Sequence, residues 1–368
     1  HIIGGKQQSC GMRRDRKECA GVVKESNVGG SGSDRRYPRM FSVTRRPGHP
    51  RVDDVPAAVR ETLAGLGLGA TIRAGETVAI AVGSRGIAEL PHIVRALVEH
   101  LKALGAMPFV VPAMGSHGGA TAEGQMEILH GLGIVPGAIG CEIRASVDTV
   151  HLADSPQGTA IHFSREAALS DHLIVCNRVK PHATFRGVVE SGLLKMLVVG
   201  LGNYCGARAH HRAFDRIGFE PVLVTAARTI LAVRPVLAGL AIVENGCGQV
   251  GMVRALAPGR LEEGEKELLV QAREWLPRLP FSTADLLIVD EMGKNISGTG
   301  MDGKVIGPRL VEPAPSLSAK VIGTARRVGN LYRQHVLQPA PDARGRPIGH
   351  VEFWGTFCLL YTSDAADE

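Results

Sequence analysis

The feature that most constrains this chain is a change of hydrophobic period. Thr77 to Val82 is an apolar, β-branched run of strand length, Ile93, Leu97, Leu101 and Leu104 then recur at helical spacing, and Phe109, Val110 and Val111 return to a strand-like run. Strand, helix and strand in that order make a β-α-β unit. The alternation continues through a helix over Ala122 to Leu132, a strand ending in Val175 and a helix around Leu193 to Val199. It goes on through strands near Leu240 to Val243 and Leu286 to Val289, and a helix from Glu262 to Leu276. Such alternation predicts an α/β sandwich with helices on the sheet faces. In that class the loops leaving the carboxyl ends of the strands converge on a ligand crevice.

Length and composition set the scale. With 368 residues the chain has room for about two packed domains. The stretch from His1 to Asp34 is polar, glycine-rich and aperiodic, and residues 1–36 read as a disordered or non-native leader. Residues 37–280 then form an N-terminal domain and 281–357 a truncated C-terminal α/β domain. The boundary is placed near Leu279 to Thr283, where Pro277 and Pro280 break the long helix. Residues 358–368 read as a translated adapter, which puts the natural C-terminus beyond this sequence.

Charge and cysteine usage exclude several classes. The net charge of +6 rests largely on arginines near the start, among them Arg13, Arg14, Arg35 and Arg36, and these are not interleaved with stacking aromatics. A nucleic-acid partner is therefore not expected. Seven cysteines, an odd number with no C-x-x-C pair, argue against a disulfide framework and for a reducing cytoplasm. No run approaches the roughly 20 apolar residues of a membrane span and no signal peptide opens the chain, so neither membrane nor export is expected.

The residues able to carry chemistry follow strands or lie close behind them. Gly115-Ser116-His117-Gly118-Gly119 follows the strand ending at Val111-Pro112, and its small residues leave the imidazole open for proton transfer; alone, it reads equally as a turn. Asn177-Arg178-Val179-Lys180-Pro181-His182 follows the Leu173 to Val175 run, with Pro181 stiffening the chain before His182. Lys195 stands among Leu193, Leu194, Met196 and Leu197, where its amine is either desolvated and nucleophilic or snorkels to water. His210-His211-Arg212 offers one imidazole toward a site, because helix neighbours differ by about 100°, and imidazole suits nickel, copper or zinc. Arg85 closes the first strand and can grip a carboxylate bidentately. Asp290-Glu291-Met292-Gly293-Lys294 follows the Leu286 to Val289 strand; each of these also has a bland reading as solvated loop or surface charge.

Together the pieces resemble the lactate-racemase-like enzymes that use a nickel-pincer nucleotide. The string N-R-V-K-P-H, F-R-G, E-S-G-L, K-M, G-L-G, G-A, H-R spans Asn177 to Arg212, and the wider match runs from about Tyr37 to Gly307. The resemblance implies two α/β domains with the active site in the cleft between them. It also implies a pyridinium mononucleotide whose two sulfur-bearing arms and one ring carbon clamp nickel. Lys195 aligns with the lysine that tethers this cofactor, and His211, sixteen residues on, with the histidine that completes the nickel ligands. Gly115 and Ser116 fall on the cofactor side. His117 and His182 align with the acid/base pair, and Arg85, Glu291 and Lys294 with substrate-side residues.

The implied reaction is racemisation or epimerisation of a small 2-hydroxy acid. One histidine takes the hydroxyl proton while the α-hydrogen leaves as hydride to the cofactor, and the planar keto acid is refilled from the other face. Cofactor-biosynthesis proteins are implied as maturation partners. Three departures point to a non-lactate branch: Val82 stands where an aspartate is expected, Glu291 replaces a glutamine, and the His182 to Lys195 stretch is longer by the segment near Val188 to Glu190. Two other readings stay open. Leu197 to Gly206 imitates the glycine turn of an NAD(P)-dependent dehydrogenase, but lacks the strand before it and the acidic residue after it. The substitutions at Val82 and Glu291 also suit a non-catalytic metal- or nucleotide-binding homologue.

Overall fold

Secondary structure in this computed structural model is described for residues 48–182 and 186–279, together with short elements at 23–25, 41–43, 286–289, 303–306 and 320–323. The chain divides into two compact units, the larger spanning His49–Leu276 and the smaller made of His1–Gly48 and Pro277–Thr362.

The larger unit is built on a five-stranded sheet. In chain order its elements are α1 (Val55–Ala64), β1 (Thr77–Val82), α2 (Leu90–Ala103), β2 (Met107–Pro112), α3 (Ala122–Gly131), β3 (Thr149–Asp154), β4 (Ala160–Ser164) and α4 (Arg165–Leu169). They continue as β5 (His172–Arg178), α5 (Leu193–Lys195), α6 (Asn203–Ile217), α7 (Phe219–Val233), β6 (Val236–Glu244), β7 (Val250–Leu256) and α8 (Leu261–Trp275). The strand order is β2-β1-β5-β6-β7, with β7 antiparallel at one edge and the other four parallel. β3 and β4 form a separate antiparallel hairpin.

Alternation along the strands explains the two layers. Ala79, Ala81, Leu173 and Val175 face one apolar cluster with α5 to α8, whereas Val78, Ile80, Val82 and Ile174 face the other with α1, α2 and α3. The i, i+4 and i+8 residues Ile93, Leu97 and Leu101 of α2 are all fully buried against the sheet. Local signals fix the ends: Asp54 caps α1 by accepting from the Ala57 N–H at 2.8 Å, and Thr121 caps α3 through Gly124.

The α/β layering expected from the periodicity is present, with shifts at the ends of elements. The strand expected near Leu240 to Val243 runs from Val236 to Glu244, and the helix expected around Leu193 to Val199 is one α-turn that widens into a π-helix over Met196–Gly200. The β3–β4 hairpin was not anticipated; Val150, Leu152, Ile161 and Phe163 face the core, and His151 pairs with His162 on the other face. In the smaller unit Leu286–Val289 pairs in parallel with Lys320–Gly323, and Val23–Glu25 with Phe41–Val43 in antiparallel register. No helix among the described residues is long and apolar enough to cross a membrane.

Candidate active site

The carboxyl ends of β1, β2 and β5 open onto one cleft, closed on another side by the helix that begins at Leu193. Arg85, His117, His182 and Lys195 all line it, and every lining residue belongs to the larger unit. Three loops and one helix thus bring these groups together from positions far apart in the chain. Four cations, Arg85, Arg178, Lys180 and Lys195, line the cleft, and no carboxylate does so among the described residues. Such a wall attracts an anionic ligand.

His117 is placed by its glycines. Gly118 has a φ of 68°, and a Cβ there would lie 2.5 Å from the backbone of Gly124, so only glycine lets this loop rest on the start of α3. Its ring Nδ1 shares a hydrogen bond with Ser84 Oγ from the β1 loop. That bond holds the ring from the neighbouring loop. Beside it, Ser116 Oγ is buried without a hydrogen-bond partner, and the buried Gln125 reaches the Gly115 carbonyl at 3.4 Å.

His182 is almost wholly buried, at 3% exposure. Its backbone N–H donates to Glu190 at 2.6 Å, and Glu190 is itself buried and ion-paired with Arg273 of α8 at 2.7 Å. The ring packs on Phe219, and Nε2 lies 2.8 Å from Lys195 Nζ. An ammonium has only donors, so with Lys195 charged Nε2 is the acceptor. Glu190 lies in the segment that lengthens the His182 to Lys195 stretch, and that segment supplies the carboxylate holding the His182 backbone.

The adjacent histidines of α6 differ as helix geometry requires. His210 is fully buried, its Nδ1 donating to the Gly206 carbonyl of its own helix at 2.8 Å. His211 turns the other way, edge-on to Phe214. Its Nε2 is buried and makes no hydrogen bond, and its charge is coupled to Lys195. Burial first, and then the Lys195 charge, push its pKa down to about 4, with His210 adding to the shift and Asp215 opposing it. It is therefore a neutral imidazole near pH 7 with an unused ring nitrogen, the state in which histidine ligates a metal.

Among the described residues no cluster of three or more His, Cys, Asp or Glu could hold a metal by protein ligands alone. Both α6 imidazoles have a buried Nε2 without a hydrogen-bond partner, and of the two it is His211 that feels the Lys195 charge; an open imidazole nitrogen near a cationic cleft fits a metal that arrives within an anionic cofactor. The residues present are compatible with the cofactor that the resemblance implies.

Glu291 and Lys294 lie outside the described residues. Val82, where the resemblance leads one to expect an acid, is a fully buried core residue of β1, in register with Pro112 and Cys176. The glycine succession after Leu197 continues from a π-helix into α6, so the strand, turn and helix of a dinucleotide fingerprint are not formed there.

Sequence reasoning missed several groups that hold the site. Arg178 sits inside a motif already singled out, and Ser84 directly precedes Arg85. Glu244 pairs with Arg178 and accepts from the Ala88 N–H at 2.7 Å, tying the Arg85 loop to the Arg178 side of the cleft. Glu244, Glu265 and Arg273 carry no local signal, since their partners are from 66 to 156 residues away.

A family model, the lactate racemase N-terminal domain, matches residues 39–217. Among solved structures, the lactate racemase apoprotein from Thermoanaerobacterium thermosaccharolyticum superposes with a TM-score of 0.47 at 16% identity, covering 68% of this chain and 64% of that one. A protein from Thermotoga maritima superposes with a TM-score of 0.44 at 15% identity, covering 66% of this chain and 63% of that one. This chain therefore spans less than two thirds of either structure. No curated protein matches.

Proposed function

We propose that this chain, of which residues 39–217 match the lactate racemase N-terminal domain, racemises or epimerises a small 2-hydroxy acid other than lactate with a nickel-pincer nucleotide. The observation that carries this reading is the meeting of His117, His182 and Lys195 in one cleft, with the buried Nε2 of His211 unpartnered and within electrostatic reach of Lys195.

When bound, such a cofactor supplies acceptance and return of the α-hydrogen together with its electron pair. The protein does the rest. Arg85 grips the substrate carboxylate and keeps the flattened intermediate in place while its carbonyl turns. His117, at Nε2, takes the hydroxyl proton of one enantiomer. His182 does so for the other. Two bases are needed because the hydroxyl is presented from opposite sides in the two enantiomers, and imidazole titrates in the working range. His211 and Lys195 hold the cofactor, with Gly115 and Ser116 alongside. Proteins that build and insert this cofactor are the expected partners, and the cytoplasm the expected compartment.

The test is exchange of the α-hydrogen across a panel of 2-hydroxy acids, using protein coexpressed with a cofactor-building system. His117→Ala and His182→Ala should each lower exchange by roughly 10²- to 10⁴-fold while leaving nickel content unchanged. His211→Ala should lose the nickel. Full exchange in both single histidine variants of the cleft would overturn the acid/base assignment, and stoichiometric reduction of added NAD would replace the reaction with a dehydrogenase.

A further inference from the structure

We propose that Glu265 is a positioning residue for the cleft: its carboxylate, reaching across from α8, caps the helix that begins at Leu193 and so sets Lys195 against His182. The roles of Lys195 and His182 are those given above; the capping geometry stands apart from them.

The first turn of any helix has N–H groups with no partner inside it, and a side chain at the N-cap normally accepts one of them. Here the N-cap is Gly192, which has no side chain and makes no cap bond. Glu265 supplies the missing acceptor from another helix, its Oε2 taking the Leu194 N–H at 2.8 Å. The fit is mutual. A Cβ at position 192 would lie 2.4 Å from Glu265 Oε1, so the carboxylate occupies the space that a capping side chain of residue 192 would fill.

The next residue is Lys195. A cation in the first turn lies at the positive end of the peptide dipoles, an unfavourable place, and a carboxylate at the cap offsets this. The arrangement is costly in stability. Glu265 is fully buried, its Oε1 has no hydrogen-bond partner, and burial pushes its pKa up to about 7 against the pull of the Leu194 and Leu193 N–H groups. Apolar residues of similar volume commonly replace buried charges with no loss of stability. A carboxylate retained here is therefore better explained by what it aligns than by what it stabilises. The same helix, α8, carries Arg273, which holds Glu190, which in turn holds the His182 backbone. Both partners of the 2.8 Å contact between Lys195 and His182 are thus referenced to one helix.

The experiment uses the whole chain labelled with ¹⁵N, and compares Glu265→Met and Glu265→Gln with wild type and with Lys195→Met. Three quantities are read: hydrogen exchange at the Leu194 amide, the ¹⁵N resonance of His182 Nε2, and thermal stability. Glu265→Met should speed exchange at Leu194 by about tenfold or more and move the His182 resonance toward its position in Lys195→Met, with melting temperature unchanged or raised. Glu265→Gln keeps one acceptor oxygen and should restore both signals most of the way. A His182 resonance unmoved in Glu265→Met, or moved as far in Glu265→Gln, overturns the proposal. Should Glu265→Met fail to fold, Glu265→Asp carries the test: it keeps the charge but withdraws it by one methylene, and an unmoved His182 resonance again overturns the assignment. None of these readings requires turnover, so failure of the racemase assignment and failure of this one are told apart.

Discussion

At the amino-terminal end of the sheet Asp171 accepts from both the N–H and the hydroxyl of Thr77, Glu76 meets His172 at 2.9 Å, and the Arg234 guanidinium donates to the carbonyls of Ala167, Ser170 and Asp171. At the carboxyl end Ser116 Oγ and Gln125 Oε1 are buried without partners, His211 Nε2 lies unpartnered near Lys195, and four cations line a cleft without an acid among the described residues. The same four parallel strands support both ends. A polar group that is satisfied within the protein contributes to stability, and one left open in a buried place is available to a ligand. The difference between the ends therefore separates what holds the fold from what the fold presents.

The sharpest way to break that comparison is Arg234→Met. Methionine fills the channel of this buried side chain but leaves several carbonyls without their donor, which should cost roughly 3–4 kcal/mol of stability in urea unfolding. Nickel content and the His182 resonance should stay as in wild type. A loss below about 1 kcal/mol, or a disturbed cleft, would show that the two ends are not separable.

Stability against pH sharpens the comparison inside the carboxyl end. His211 has its folded pKa lowered from 6.5 to about 4. The unfolded chain binds the extra proton between those values, so stability from this group is present above 6.5 and is lost as pH falls through 4. Glu265 has its folded pKa raised from 4.5 to about 7, so the folded chain holds the extra proton and stability is lost as pH rises from 4.5 through 7. The two contributions, each on the order of 3 kcal/mol, oppose each other across the same window. Relative to wild type, Glu265→Met should gain stability as pH rises from 4.5 to 7, and His211→Gln should lose it. Parallel curves for all three proteins would mean that neither group titrates as its burial requires.

Much of this was legible in the sequence. The apolar runs at Thr77 to Val82 and Phe109 to Val111 gave strands because both faces of a parallel sheet are covered, and His117, His182 and Arg85 were found because small or stiff residues flank them after such runs. What was not legible is long-range. Glu244 and Glu265 look like ordinary solvated acids, and only folding shows each accepting a backbone N–H at a cleft element. The widening of the Lys195 helix into a π-turn was hidden for the same reason: Met196 to Gly200 is apolar at either period, and the choice is made by packing. The β3–β4 hairpin was missed because its period of 2 is short and carried by few residues, Val150 and Leu152 on one strand and Ile161 and Phe163 on the other, with polar residues between.

The smallest expected effect tests how finely the open end is tuned. Ser84 Oγ is bonded to His117 Nδ1 and holds the ring from the neighbouring loop. Ser84→Ala removes that partner at a half-buried position, so stability should change by less than about 1 kcal/mol. The ring is then no longer held to one tautomer or one rotamer, and only part of the population presents Nε2 as the base. Exchange of the α-hydrogen should fall by about tenfold, with the loss in kcat rather than KM, since Arg85 still grips the carboxylate. The same substitution should move the His117 ring resonances and leave those of His182 in place. If exchange stays at the wild-type rate while the His117 resonances move, orientation of that ring does not limit proton transfer, and the bond from Ser84 belongs with the groups that merely hold the fold.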